Sequence, residues 1–368
     1  MNYQTYDIIV FSHLRWNFVY QRPQHILSRL AESYNILFVE EPFQPNAENE
    51  NSFSFHQVFP NLSVFNTYAK DIDATLQILK EELGSHTVDT AWFYSPSFVN
   101  ALNILSFDKV VFDCMDELTL FKNAPQSLIE QEKELLSKSD IVFTGGKSLY
   151  SSKKQHHQNV YCFPSSVDRK HFEKAQNGIK VPDEMDVFSG IVVGYYGVVD
   201  ERIDYELLEK TAQLCPTVDF VLIGPFAKVN PEHLPALPNV HFLGMRNYEH
   251  LPNYLKRFDI AMMPFAMNDA TKYISPTKTL EYMAGGKSII STPVYDVVRD
   301  YDKHIEIIEN AEQFTSAINK LICQDKASHY FKYQEILDRT SWDNTVNEMH
   351  NLMKELVKEK QYAQFQEY

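Results

Sequence analysis

A rhythm that occurs twice along the chain limits its fold most severely. Short β-rich runs alternate with longer segments whose apolar residues recur every three or four positions. In the first half the runs lie at 7–12, 35–40, 88–94, 109–113, 140–144 and 160–163, with helical stretches at 23–33, 74–83 and 126–138. A second series has runs at 190–196, 219–223, 240–243, 260–264 and 288–291. Such alternation predicts α/β architecture built on parallel sheets. A chain of 368 residues accommodates two such domains, each with its own core. The polar stretch 173–189, broken by Gly178 and Pro182, reads as the joint. The expected order is an N-terminal domain over 1–172, a linker over 173–189, a C-terminal domain over 190–340 and a closing helix over 341–368. In doubly wound sheets ligands sit outside the carboxyl ends of the strands, so two such domains facing each other place the site in the cleft and its residues in post-strand loops.

Composition narrows the partners. Lys and Arg number 34 against 49 Asp and Glu, a net charge of −15. That balance argues against a nucleic-acid binder and weakens a broad electrostatic grip on anionic membranes. No apolar run approaches the roughly 20 residues of a membrane span, and residues 1–6 lack the basic start of a signal peptide, so the expected location is the cytoplasm. Cys114, Cys162, Cys215 and Cys323 are too scattered for a zinc knuckle or a dense disulfide framework. Asp71-Ile-Asp73 precedes an amphipathic run and reads as a helix cap, and His156-His157 has no partners at zinc-ligand spacing. No metal and no resident cofactor are expected. Neither Gly-Lys-Ser, at 146–148 or 286–288, has the preceding glycine of a P-loop, and no G-x-G-x-x-G follows an early strand.

The most informative segment is YISPTKTLEYMAGGKSIIS, residues 273–291. Ser275 followed by Pro276 reads as an N-cap and a first helical position, with a helix over 277–284 that stops at Gly285-Gly286. The start of such a helix offers free N–H groups and partial positive charge to a diphosphate. Lys278 and Glu281 share a face, about 4.5 Å apart along the axis at ~1.5 Å per residue. Lys278 can neutralise phosphate while Glu281 accepts hydrogen bonds from two ribose hydroxyls. The same spacing is equally that of a solvated i,i+3 ion pair.

This segment resembles the donor-nucleotide motif of GT-B glycosyltransferases, above all the retaining group called glycosyltransferase family 4. Glu281 and the Tyr282-Met283-Ala284-Gly285 that follows match the second half of its motif, while Tyr273 stands where that family carries a first glutamate beside the transferred sugar. The Ser-Pro-x-Lys-x-x-Glu-Tyr-Met-Ala version is similar to a subgroup of bacterial surface-polysaccharide transferases, including the teichuronic-acid type. The resemblance implies a GT-B fold, two Rossmann-like domains facing across a cleft, with a C-terminal helix that crosses back to the first. It also implies sugar transfer from a nucleotide-diphosphate donor, UDP-sugars favoured, to a glycan or lipid-linked acceptor. The reaction would be metal-independent and retaining, with peripheral contact at the inner membrane face. On the acceptor side His13, Arg15, Trp16, Arg22 and His25 line the first loop and helix, and Asp113 or Asp116 orients or deprotonates a hydroxyl. On the donor side Gly197 and Arg202 meet the diphosphate, Gly224 lies at a strand end that lines the base, and backbone groups of Met245 and Arg246 contact the base. Phe265 and Asn268 sit by the sugar, and Ser275, Pro276, Thr277, Lys278 and Glu281 supply the anion site. With no metal motif, Lys278 is the catalytic cation. Trp16 as a core residue, and Asn268 as a turn former, are the competing readings. An epimerase of the same two-domain shape, which needs only the donor, or a silent glycan-binding scaffold are the alternatives to transfer.

Overall fold

The computed structural model describes residues 5–230, 232, 234–324 and 326–366. It divides into two compact units: one runs to Pro164 and resumes at Asp343, and the other spans Ser165–Trp342.

The first unit holds strands β1 (Ile8–Ser12), β2 (Ile36–Glu40), β3 (Phe53–Phe59), β4 (Leu62–Thr67), β5 (Val88–Phe93), β6 (Phe107–Cys114), β7 (Ile141–Thr144) and β8 (Val160–Cys162). They form one sheet in the order β3-β4-β2-β1-β5-β6-β7-β8, with β3 antiparallel to β4 and the other pairings parallel. Every residue of β1, β2 and β7 is buried, which is why these strands read as unbroken apolar runs: helices cover both faces of a parallel sheet. Strand order reverses at β1, so the loop that follows it opens at the switch point. The hairpin β3–β4 lies outside the expected strands. Its outer strand is largely exposed, with Phe53 and Phe55 set against Phe65 at 5.9 and 4.8 Å between ring centroids. The alternation Phe-Ser-Phe-His was the available signal. A helix over Trp342–Gln366 closes the unit, burying Val346, Met349, Met353 and Leu356 along one stripe. Arg29 donates to Asp343 at 2.5 Å and the Tyr34 hydroxyl meets His350 at 2.7 Å.

The second unit holds β9 (Ile191–Tyr196), β10 (Val218–Ile223), β11 (Val240–Gly244), β12 (Ile260–Met263), β13 (Ser288–Ser291) and β14 (Glu306–Ile307), ordered β11-β10-β9-β12-β13-β14 and parallel throughout. Here strand order reverses at β9. The stretch 173–189 is not a free linker. Phe172, Ala175, Met185 and Phe188 are buried in this unit's core, so the boundary falls at 164/165 and the polar residues between them form short turns on its surface. Among the described residues no helix is long and apolar enough to cross a membrane.

One cluster in the first unit places more negative than positive charge out of water. Lys153 bridges Glu117 at 2.7 Å and also binds Glu132, all three nearly buried. Burial pushes the Glu132 carboxyl up to about 7, with nearby Glu117 adding to the rise and Lys153 opposing it. A folded carboxyl that holds its proton where the unfolded one has lost it makes stability fall as pH rises, here from 4.5 to about 7. Glu132→Gln leaves Lys153 paired with Glu117. The expected outcome in calorimetry is a flatter dependence of Tm on pH and, above neutrality, a gain of about 2–4 °C; an unchanged slope would contradict it.

Candidate active site

At the switch point of the second unit, β9 ends at Tyr196 and the chain turns at Gly197, whose φ is +139°. Beside it Gly224 follows β10 with φ +155°. Their backbones nearly touch: a Cβ on Gly224 would lie 1.8 Å from the Gly197 carbonyl oxygen. A Cβ on Gly197 would lie 2.3 Å from the Lys278 Cε and 2.6 Å from its Nζ. Only glycine allows this stacking of two loops beneath a lysine. The ammonium also lies 5.4 Å from the centre of the Tyr195 ring.

Lys278 begins the helix Lys278–Ala284, two positions later than the Ser-Pro signal implies. Thr277 is the N-cap, in αR geometry and with no side-chain cap bond. The Ser275 carbonyl accepts from the Ser165 hydroxyl at 2.6 Å, which ties Ser275 to the start of this unit. One turn on, Glu281 is 7% exposed. Burial pushes its carboxyl up to about 7, while Lys278, the Tyr196 hydroxyl and Thr277 pull it back toward ionisation. Glu281 is thus no solvated partner of Lys278 but a desolvated acceptor with donors gathered round it.

The remaining donor-side residues divide. Arg202 donates from Nε to both Asp200 oxygens at 3.0 Å and from Nη2 at 2.7 Å, so its charge is already matched by a carboxylate. Arg246 is likewise paired with Glu184 at 2.6 Å, and its Nη1 occupies the Met245 carbonyl at 2.9 Å; the Met245 side chain is exposed. Phe265 does not face a sugar: it is 3% exposed and packs edge-on against Tyr195. Asn268 spends its side-chain oxygen on the Thr271 N–H at 3.1 Å, capping the turn Asp269–Thr271, so the turn-former reading holds. The residues that local reasoning missed are Tyr196 and Tyr282. The Tyr282 hydroxyl accepts the Tyr196 N–H at 3.1 Å, and the two rings meet edge to face at 4.9 Å.

In the first unit most of the expected acceptor residues turn inward. Trp16 is buried edge-on against Phe38 and Phe59, which removes its indole as a stacking surface, and its backbone N–H donates to Glu40 at 2.7 Å. His25 is 2% exposed in the helix Arg22–Leu30, its ring edge-on to Tyr20. Arg22 donates from Nε to both oxygens of Asp113, at 3.0 and 3.1 Å, and from Nη1 to the Phe163 carbonyl at 2.7 Å. Both partners are buried, and Tyr94 beside them has its phenol pushed well up by burial and by Asp113. Asp113 is therefore held as the counter-ion of Arg22, which takes both residues out of the surface contact expected of them. Three expected residues remain half-buried: His13, Asp116 and Arg15. Arg15 pairs with Glu40 at 3.0 Å and lies 3.8 Å over the Phe43 ring. Among the described residues no three His, Cys, Asp or Glu side chains group as metal ligands.

With this geometry in place, comparison with known proteins is specific. Residues 190–324 match the family Glycosyl transferases group 1. The chain is 22% identical over 268 residues to TuaH of Bacillus subtilis (strain 168), named as a glycosyltransferase of teichuronic acid biosynthesis; the match covers 68% of this chain and 67% of TuaH. Among solved structures, sucrose-phosphate synthase of Thermosynechococcus elongatus superposes with a TM-score of 0.71 at 12% identity, covering 95% of this chain and 99% of that one. Anabaena HepE, solved with UDP and glucose, gives 0.66 at 13% identity over 95% and 99% of the two chains. Residues 190–324 are thus a group 1 glycosyltransferase domain, and the chain is a glycosyltransferase with the GT-B fold.

Proposed function

We propose that this enzyme transfers a sugar from a nucleoside-diphosphate sugar, with UDP-sugars favoured, to a glycan or lipid-linked acceptor in the synthesis of a bacterial surface polysaccharide. The observation that carries the reading is Lys278 lying against Gly197, which itself rests on Gly224, with buried Glu281 one turn further along the same helix. The relative in teichuronic acid synthesis supports the pathway class, and HepE with UDP supports the donor class.

In this mechanism the two glycines admit the diphosphate close to the backbone, and the Lys278 ammonium balances the charge that grows on it as the bond to the anomeric carbon breaks. Glu281 accepts the two ribose hydroxyls. The bidentate pairing of Asp113 favours retention over inversion. A carboxylate committed to Arg22 has little call on an acceptor's proton, whereas in front-side transfer the departing phosphate oxygen takes that proton itself. Lys278 supplies the stabilising charge, so no metal is assigned a step. The acceptor is assigned to the first unit, where His13, Arg15 and Asp116 stay within reach of solvent. Nucleotide sugars place the reaction in the cytoplasm, with contact at the inner membrane face through a lipid-linked acceptor.

Lys278→Ala should lower kcat by about 10²–10³-fold, the range for loss of one donor to a transition-state anion. Glu281→Gln should act mainly on donor KM. Steady-state kinetics with the donor found by thermal-shift screening of UDP, GDP, ADP and dTDP sugars checks both, and undiminished turnover in Lys278→Ala overturns the mechanism. NMR of the product's anomeric proton checks retention. Asp113→Ala strands Arg22 as an uncompensated buried charge, so the expected result is a loss of about 3–5 kcal/mol in denaturant unfolding. Full stability with turnover alone abolished would instead restore Asp113 as a base.

A further inference from the structure

Tyr196 is the last residue of β9, immediately before Gly197, and its side chain is 2% exposed. It is held from three directions. Phe172 stacks parallel to it at 6.1 Å, Tyr282 meets it edge-on at 4.9 Å, and its backbone N–H is fixed by the Tyr282 hydroxyl. A ring clamped this way has little rotamer freedom, so its hydroxyl points where the packing sends it. Among the described residues that hydroxyl has no full hydrogen-bond partner, although it is buried. The group it faces is the Glu281 carboxyl, which its presence draws back toward ionisation. A buried hydroxyl left without a partner is costly, and one aimed at a carboxylate is a donor held in readiness.

We propose that Tyr196 is a positioning residue of the nucleotide site: its clamped, buried hydroxyl faces Glu281 and holds that carboxyl ready to accept both hydroxyls of a ribose. The proposal rests on the reading of Glu281 as the ribose acceptor. The other groups facing the carboxyl are few. Lys278 and Thr277 approach it from the start of its own helix; behind Tyr196 stand Tyr248 and His171, stacked at 4.5 Å. Burial holds His171 below its ordinary value, so it is neutral near pH 7 and leaves the anion to Lys278 and the two hydroxyls.

The chemistry gives a signed consequence. A protonated carboxyl has one lone-pair face fewer and presents a donor to a diol that itself must donate. Donor affinity should therefore fall as pH drops through about 7, where Glu281 takes up its proton. Removing the Tyr196 hydroxyl makes ionisation harder and moves that fall to higher pH.

The test measures the Kd of the full-length protein by calorimetry from mildly acidic to alkaline pH, for the native chain, Tyr196→Phe and Glu281→Gln. The probe is whichever of UDP-glucose, GDP-mannose and ADP-glucose binds tightest; each has a diesterified diphosphate with no group that titrates near neutrality. For Tyr196→Phe the expected result is binding about 3- to 10-fold weaker below neutrality and within about 2-fold of native at alkaline pH, corresponding to a midpoint moved up by about 0.5–1 pH unit. Below neutrality the melting temperature should hardly change, because Glu281 holds its proton there with or without the hydroxyl; at alkaline pH the harder ionisation should lower it slightly. A loss equal at every pH, or a profile superimposable on the native one, overturns the role of Tyr196. Glu281→Gln should bind weakly with no pH dependence. If it binds as well as the native chain, or if none of the three sugars binds, the ribose reading itself fails.

Discussion

The closest constraint in the catalytic domain is steric. Two loops, leaving β9 and β10 side by side, come so near that a Cβ on Gly224 would run into the Gly197 carbonyl, while a Cβ on Gly197 would run into the Lys278 side chain. The parallel sheet brings the strand ends together, the order reversal at β9 splays the neighbouring loops, and glycine alone satisfies the positive φ each turn demands. The result is a half-buried turn at Gly197, resting on buried Gly224, with the Lys278 cation against it and a buried carboxylate a helical turn away. Every other assignment on the donor side is measured from that turn.

Elsewhere the molecule keeps its charges occupied. Arg202 faces Asp200, Arg246 faces Glu184, Arg22 faces Asp113, and Lys153 stands between two glutamates. Such pairs stabilise little when exposed, and when buried they chiefly penalise the loss of either member. Their functional effect here is subtractive. An arginine already matched by a carboxylate offers a phosphate far less than its formal charge suggests.

How legible all this was in the sequence depended on the range of the interaction. Strands buried on both faces are short apolar runs, and 288–291 coincides with its strand residue for residue. The hairpin β3–β4 escaped because its outer strand is largely exposed and carries an alternating pattern rather than an apolar block. The cap falls at Thr277 rather than Ser275, whose carbonyl is instead engaged by Ser165, 110 positions away. The Arg22–Asp113 pair spans 91 residues, and no local pattern reports it. Types and spacing of residues therefore located Lys278 and Glu281, whereas the inward turn of Trp16, His25 and Phe265 is a property of packing.

The chain enters the second unit after Pro164 and leaves it at Trp342, which makes that unit an insertion within the first. During synthesis the eight strands of the first sheet emerge early, but the helix that seals one flank, Trp342–Gln366, follows only after the whole inserted unit. At ~5–20 residues per second the intervening segment takes roughly 10–40 s to appear. For that interval the nascent first sheet has an uncovered apolar flank, while the inserted domain has its whole sequence available before the first is complete. A nonsense codon just after Trp342 would thus cripple the amino-terminal lobe and spare the inserted one.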